Sequence, residues 1–117
     1  MSSDFKNSSK FKDFSNLKNI EDLYDKIKSR IESKDSSSYS FQLNQDGLEK
    51  INRKVGEEAI EVIIAAFNKQ KTNNLQHRKD LVGEISDIIY HVLVLMINQD
   101  ITFDELIEEL NKRNKNG

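Results

Sequence analysis

The chain of 117 residues contains no proline and only four glycines. Proline interrupts helices, and glycine and proline together supply most turns, so a chain with so few of them favours long, uninterrupted helices. A β-sandwich or β-barrel of this length would need more turn residues. The sequence therefore predicts an all-α fold, a four-to-five-helix bundle built around one core.

The spacing of the apolar residues predicts four helices with polar connections. Asn19 is a good N-cap for the first helix, and Thr102 with Glu105 forms a capping box for the last. The serine-rich segment 33–40 is predicted to be a flexible loop, and residues 41–43 a short extended segment. The predicted helices run from Asn19 to about Glu32, from Asp46 to about Lys69, over 76–98, and from Thr102 onward.

Composition excludes several classes of function. A net charge of −2, with no run of more than two Lys or Arg residues, gives no basic field for nucleic acid. The chain has no cysteine, so disulfides and thiolate sites are excluded. The longest apolar run has six residues, Val92 to Ile97, against about 20 for a membrane span, and the N-terminus lacks the apolar region of a signal peptide. We expect a cytoplasmic protein without a membrane partner.

The first sixteen residues differ in composition from the rest of the chain. They are rich in serine, lysine and asparagine and sustain no helical or strand period. Such a segment is typical of a flexible tail. The sequence therefore predicts a tail over 1–16 and a folded domain over 17–117.

The segment KVGEEAIEVIIAAF, residues 54–67, places three glutamates in an otherwise apolar run, although an unpaired buried charge is costly. On a helical projection Glu58 lies at the edge of the apolar face and Glu61 just beyond it. In the third helix Glu84, Asp87 and His91 form a stripe beside the apolar face. The two predicted core faces consist of Ile51, Val55, Ala59, Val62 and Ala66, and of Leu81, Ile85, Ile88, Val92 and Leu95.

The two acid pairs, Glu58/Glu61 and Glu84/Asp87, are equidistant from the predicted turn at 72–73. In an antiparallel hairpin they would face one another, and four converging carboxylates repel unless a cation is present. Oxygen ligands favour a hard ion, so the pattern predicts Mg²⁺ or Mn²⁺. The alternative is a solvated helix face with simple ion pairs, which suits Glu57 better than the other acids. His91 is left open as a metal ligand, a substrate contact or a core histidine.

Two segments resemble the phosphoribosyl-ATP pyrophosphohydrolase family. They are GLEKINRKVGEEAIEVIIAA (47–66) and DLVGEISDIIYHVLVLM (80–96). They contain the EExxE and ExxD motifs of the all-α nucleoside-triphosphate pyrophosphohydrolases, and KVGEE and the YH pair point to this branch. Residues 20–43 are similar to the family's first helix and Ser-Tyr loop. The similarity covers about residues 19–112. It does not include the phosphoribosyl-AMP cyclohydrolase domain that is often fused to members of this family.

The resemblance implies a Mg²⁺-dependent attack of water on phosphoribosyl-ATP, which yields phosphoribosyl-AMP and pyrophosphate in the second step of histidine biosynthesis. It assigns the metal to Glu58, Glu61, Glu84 and Asp87. It implies catalytic roles for Glu57, Glu58 and Glu61, and substrate contacts for Lys54, Tyr39, Ser40 and His91.

Partners are predicted from the same patterns. Ile60, Ile64, Tyr90 and Val94 point away from the predicted core, which favours a homodimer that completes it. The cyclohydrolase is a further candidate partner. Two other functions stay open: a house-cleaning pyrophosphohydrolase acting on (d)NTPs, which shares the four acids, and a non-catalytic helical dimerisation module.

Overall fold

The computed structural model describes residues 16–114, and these residues contain five helices and no strand. The helices are α1 (Ile20–Ser33), α2 (Tyr39–Asp46), α3 (Leu48–Lys71), α4 (Leu75–Asn98) and α5 (Phe103–Asn114). The predicted all-α bundle is confirmed. The predicted tail, apart from Asn16, lies outside the described residues. In the described part of the chain, none of the helices has the length and apolarity that crossing a membrane requires.

Helix α1 begins as the sequence predicts. The Asn19 side chain accepts a hydrogen bond from the backbone N–H of Asp22 at 2.9 Å. The helix ends at Ser33, and its C-cap Lys34 adopts the left-handed conformation. The Tyr24 hydroxyl donates to the Ile101 carbonyl oxygen at 2.7 Å. Because Ile101 lies in the α4–α5 connection, this bond ties the first helix to the start of the last.

Helix α2 corrects the prediction of a loop and an extended segment between the first two helices. The Ser38 hydroxyl caps the helix by accepting from the backbone N–H of Phe41, and Leu43 is buried in the core. The segment has few apolar residues and so shows little helical period. Its serines, interpreted as loop residues, supply the N-cap instead.

The start of α3 also differs from the prediction. Asp46 is the last residue of α2 rather than the N-cap of α3, and its carboxylate accepts from the Lys50 ammonium at 3.0 Å. Gly47 separates the two helices with a φ of 100°, in the region that favours glycine. This single residue turns the chain from α2 into the long hairpin.

Helices α3 and α4 form that hairpin. Each has 24 residues, about 36 Å at 1.5 Å per residue. The link is residues 72–74, and the Asn74 side chain accepts from the backbone N–H of His77 at 2.8 Å. The short link makes the helices antiparallel neighbours, as predicted.

The capping box before α5 is confirmed. The backbone N–H of Glu105 donates to the Thr102 hydroxyl at 3.1 Å, and the Thr102 N–H donates to the Glu105 carboxylate at 2.7 Å. These bonds lower the pKa of Glu105. Phe103 and Leu106 then pack against the core, whereas Leu110 is exposed.

The core lies where α1 and α2 cover the second half of α4. Its buried apolar residues are Tyr24, Ile27, Leu43, Ile51, Tyr90, Leu93, Val94 and Met96. Tyr90 and Val94 are therefore internal to the protomer, and their predicted place in a dimer interface is wrong. Ile60 and Ile64 remain exposed, as that prediction requires.

Candidate metal and phosphate site

The α3–α4 contact follows one register along the hairpin. In an antiparallel hairpin with this link, residues equidistant from the point between Thr72 and Asn73 are expected to face one another, among them Glu58 and Asp87, Glu61 and Glu84, and Ala65 and Asp80. The structure agrees with this register, because Glu58 converges with Glu84 and Asp87. Toward the turn, residues of both helices line one cavity: Glu61, Ala65, Asn68, His77, Asp80 and Glu84.

Three carboxylates converge in the middle of this contact. Oxygens of Glu58, Glu84 and Asp87 lie within 4.8 Å of one another. The three residues are 0%, 2% and 1% exposed, respectively. Glu61 lies one turn along α3, is half-buried, and has one of its carboxylate oxygens buried. Three of the four predicted ligands therefore form one tight group, with the fourth beside it.

The predicted core faces need correction here. On α4 the fully buried stripe contains Glu84, Asp87 and His91, while Ile85 and Val92 are 41% and 36% exposed. The acids thus lie at the helix–helix contact itself and not on its flank. Gathering carboxylates in this position is unfavourable unless positive charge is brought to them.

The donor set fits a hard divalent cation. All three tightly grouped ligand atoms are carboxylate oxygens, the ligand type that Mg²⁺ prefers. They project from two helices of one chain, so the group is fixed by the hairpin rather than by a loop. Among the described residues, this group includes no sulfur or imidazole ligand of the kind that favours zinc.

Lys54 and Glu57 lie one turn closer to the core end. The Lys54 ammonium is 3.7 Å from a Glu57 carboxylate oxygen, and their side chains are 17% and 53% exposed. Burial is the main cause that lowers the pKa of His91, and the charge of Lys54 adds to the effect. Glu57 therefore points toward solvent, and Lys54 is the cation beside the acid group.

His91 is buried beside Asp87 and is engaged through both ring nitrogens. Its Nδ1 is 2.8 Å from the Asp87 carbonyl oxygen, an obligate acceptor, so Nδ1 carries the proton. Nε2 then accepts from the Tyr39 hydroxyl at 3.0 Å. Burial lowers the pKa of His91, which keeps the imidazole neutral at neutral pH.

Ser40 and Tyr90 form a second link between α2 and α4. Their hydroxyls share a hydrogen bond, and the two residues are 1% and 2% exposed. Together with the Tyr39–His91 bond, this holds the first turn of α2 against α4 next to the acid group. Burial raises the pKa of Tyr90 to about 12.

The Tyr90 pKa predicts a loss of stability at high pH. Between the unfolded value of about 10 and the folded value of about 12, the unfolded chain releases this proton and the folded chain keeps it. The free energy of unfolding should therefore fall as pH rises from 9 to 11, by about 1.4 kcal/mol through Tyr90. Urea titrations of wild type and Tyr90→Phe should differ in this slope, and equal slopes would contradict the assignment.

A cavity of about 120 Å³ continues the contact toward the turn. Its lining residues are Glu61, Ile64, Ala65, Asn68, His77, Asp80 and Glu84. Asn68, His77 and Asp80 are not among the residues that the sequence patterns predicted for the site. Extending the register beyond the acid pairs would have brought all three to this position.

Comparison with known proteins identifies the family of the chain. The phosphoribosyl-ATP pyrophosphohydrolase family model matches residues 20–114. The chain belongs to this family. The matched region contains the hairpin, the acid group and the cavity, and the resemblance inferred from the two motif segments is confirmed.

Individual relatives support the assignment of the chain to this family. The phosphoribosyl-ATP pyrophosphatase of Clostridium novyi is 42% identical over 100 residues, which cover 86% of this chain and 84% of the relative. That of Listeria innocua is 43% identical over 94 residues, 80% of this chain and 84% of the relative. The histidine biosynthesis bifunctional protein HisIE of Caldanaerobacter subterraneus is 41% identical over 93 residues, 80% of this chain but 42% of that protein.

Proposed function

We propose that the chain hydrolyses phosphoribosyl-ATP to phosphoribosyl-AMP and pyrophosphate, the second step of L-histidine biosynthesis. The observation that carries the proposal is the group of three buried carboxylates, from two helices of one chain, in a member of this family. A helix contact that needed only stability would use apolar residues at these positions. A site for a metal-bound polyphosphate accounts for the acids.

In this proposal Glu58, Glu84 and Asp87 hold Mg²⁺ or Mn²⁺, and Glu61 joins them from the adjacent turn. The bound cation would neutralise phosphate charge and make the α-phosphorus more open to attack. The support is the donor set: carboxylate oxygens gathered within 4.8 Å and buried from water.

The chain's own residues orient the attacking water. Glu61 lines the cavity and has a buried carboxylate oxygen, so it is the first candidate to accept the water proton. The water oxygen bonds to the α-phosphorus, and the bond from that phosphorus to the bridging oxygen breaks, which releases pyrophosphate. Glu57 is the second candidate, although its half-exposed side chain lies near Lys54.

Two parts of the site are proposed to contact the substrate: Lys54 on α3, and Tyr39 with the residues that hold it in place. Lys54, largely buried beside the acids, is suited to bind a phosphate oxygen. Tyr39 is half-buried and can reach a ligand, whereas Ser40 and His91 are buried and act by holding Tyr39 and α2 in place.

A substrate panel tests the function. Pyrophosphate release should depend on Mg²⁺, and kcat/KM for phosphoribosyl-ATP should exceed that for dUTP or dCTP by about a hundredfold or more. A preference for the deoxynucleotides would assign the chain to the house-cleaning activity. Absence of any Mg²⁺-dependent release would favour the non-catalytic module.

We also propose that two copies of the chain complete the core. The hairpin exposes large apolar residues along both helices: Ile60, Ile63, Phe67, Val82, Ile85 and Val92, each at least 36% exposed. Monomeric proteins rarely leave large apolar patches open to water, and this number of exposed apolar side chains on one hairpin favours a partner. Burying them between two hairpins would add the apolar contacts that α1, α2 and α5 do not provide.

Phosphoribosyl-AMP cyclohydrolase is the proposed partner downstream. The match to bifunctional relatives supports it, because more than half of the Caldanaerobacter protein lies beyond the region shared with this chain. In this proposal the cyclohydrolase takes up the phosphoribosyl-AMP that the chain releases.

A further inference from the structure

The cavity beside Glu61 and Glu84 has served so far only to place Glu61 near the attacking water, and no part of the substrate has been assigned to it. It lies on the turn side of the acid group, whereas Lys54 lies on the core side. Along α3, Lys54 and Glu61 are seven residues apart, about 10 Å along the helix axis. The acid group therefore separates two chemically different ends of one site.

The charges at the two ends differ in sign. Lys54 offers a cation at the core end. At the turn end Asp80 lines the cavity with a carboxylate that is not among the three that converge on the metal site. A phosphate is attracted to the first end and repelled from the second. The cavity is thus suited to a part of the substrate that bears hydrogen-bond donors.

The polar groups of the cavity are mainly acceptors. The Asp80 carboxylate accepts from the Gln76 amide at 2.8 Å through one oxygen, and its second oxygen can accept another bond. His77 Nδ1 lies 2.9 Å from the Thr72 carbonyl oxygen and donates to it, so Nε2 is the ring nitrogen left for a ligand. The Asp80 carboxylate is thus an acceptor in the cavity that matches the hydroxyl groups of a ligand.

The volume and the apolar wall of the cavity further restrict which part of the substrate it can hold. A volume of about 120 Å³ is well below the roughly 300 Å³ of the smaller whole-ligand pockets, so the cavity admits one ring rather than a nucleotide. Ile64 and Ala65 give it an apolar wall on α3. A sugar ring presents hydroxyls on its edge and carbon–hydrogen surface on its face, and it meets both requirements.

We propose that this cavity binds the ribose that carries the α-phosphate of the substrate, with Asp80 accepting hydrogen bonds from its hydroxyls. This inference rests on the proposed function. It fixes the direction of the substrate along the hairpin: ribose toward the turn, α-phosphate at the acid group, and the pyrophosphate leaving group toward Lys54. It also makes Asp80 the residue by which the enzyme distinguishes ribonucleotides from deoxyribonucleotides.

The test compares phosphoribosyl-ATP with its 2′-deoxyribose analogue. Wild type should prefer the ribose form in kcat/KM by roughly ten- to a hundredfold, as expected for a hydroxyl bonded to a carboxylate. In Asp80→Asn the preference should fall toward one, mainly through a higher KM for the ribose form. The deoxy analogue should be hydrolysed with little change.

Gln76→Ala is the matched control, since it removes the neighbour of Asp80 on α4 and leaves the carboxylate. If Asp80 served only this surface pair, the two variants would behave alike. The proposal requires that Gln76→Ala keep the ribose preference and that both variants melt like wild type. Equal turnover of the two substrates by wild type, or an unchanged preference in Asp80→Asn, would overturn the subsite and leave the hydrolase function intact. Failure of wild type to hydrolyse phosphoribosyl-ATP would instead overturn the proposed function.

Discussion

Asp87→Asn should lose activity by two to three orders of magnitude and yet melt at a higher temperature than wild type when no divalent cation is present. The loss of activity follows because Asp87 is one of the three carboxylates proposed to hold Mg²⁺. The gain in stability follows because one of several buried negative charges is removed while the side-chain volume is kept. A gain of 1 kcal/mol would raise the melting temperature by roughly 4 °C in a domain of this size.

Added Mg²⁺ should make wild type more stable than Asp87→Asn, which reverses the order expected without a divalent cation. Binding to the folded state alone raises the free energy of unfolding by mass action, so wild type should gain stability with added Mg²⁺ and Asp87→Asn should gain much less. Melting curves with EDTA and across a Mg²⁺ titration measure both effects. The combination distinguishes a metal site from acids that stabilise the hairpin in another way.

Asp25→Asn is the matched control, because it makes the same chemical change on the exposed surface of α1. It should retain full activity and the wild-type response to Mg²⁺. Glu58→Gln should behave like Asp87→Asn, since Glu58 belongs to the same group. Normal Mg²⁺-dependent rates in both buried variants would refute the site. A lower melting temperature of Asp87→Asn in EDTA would show that this carboxylate stabilises the apo fold.

The convergence of the acidic residues was more predictable from the sequence than the packing around them. Two acid pairs at equal distances from one polar turn specify the register of an antiparallel hairpin, because helix geometry leaves little freedom once the turn is located. That reasoning brought Glu58 opposite Asp87 correctly. It needed no knowledge of how the other helices pack.

The core faces were harder, since an amphipathic pattern shows that a helix has an apolar side but not what covers it. Ile85 and Val92 lie on the predicted core face of α4, but within the protomer they remain partly open to water. Tyr90 and Val94, assigned to a partner, are covered by α1 and α2. When one helix has several apolar stripes, tertiary contacts decide which of them is buried in the protomer.

Helix α2 was missed for a different reason. Its eight residues include one fully buried apolar side chain, Leu43, so periodicity has little to detect. The helix is instead held by side-chain hydrogen bonds, from Ser38 at its N-cap and from Tyr39 to His91. The Tyr39–His91 bond joins residues 52 positions apart, and a local pattern does not contain it.

The exposed face of the hairpin leads to the second large expected effect: Ile85→Asp should convert a dimer to monomer. Ile85 is 41% exposed in the protomer, so the substitution leaves the protomer's buried core residues in place. In the proposed dimer the new carboxylate would be buried against apolar side chains without a partner, which is strongly unfavourable. A cost of about 2.7 kcal/mol raises the dissociation constant a hundredfold.

Sedimentation at micromolar concentration measures this directly, with Ser29→Asp as the control for adding one negative charge to an exposed helix position. Wild type and Ser29→Asp should sediment as dimers, and Ile85→Asp as a folded monomer with wild-type helical content. A monomeric wild type would refute the dimer, and a dimeric Ile85→Asp would place the interface on another surface.

Because all three tightly grouped carboxylates come from one chain, the Ile85→Asp monomer should still gain stability when Mg²⁺ is added. Loss of that response, with the fold intact, would show that a second copy is needed to hold the hairpin in its metal-binding geometry.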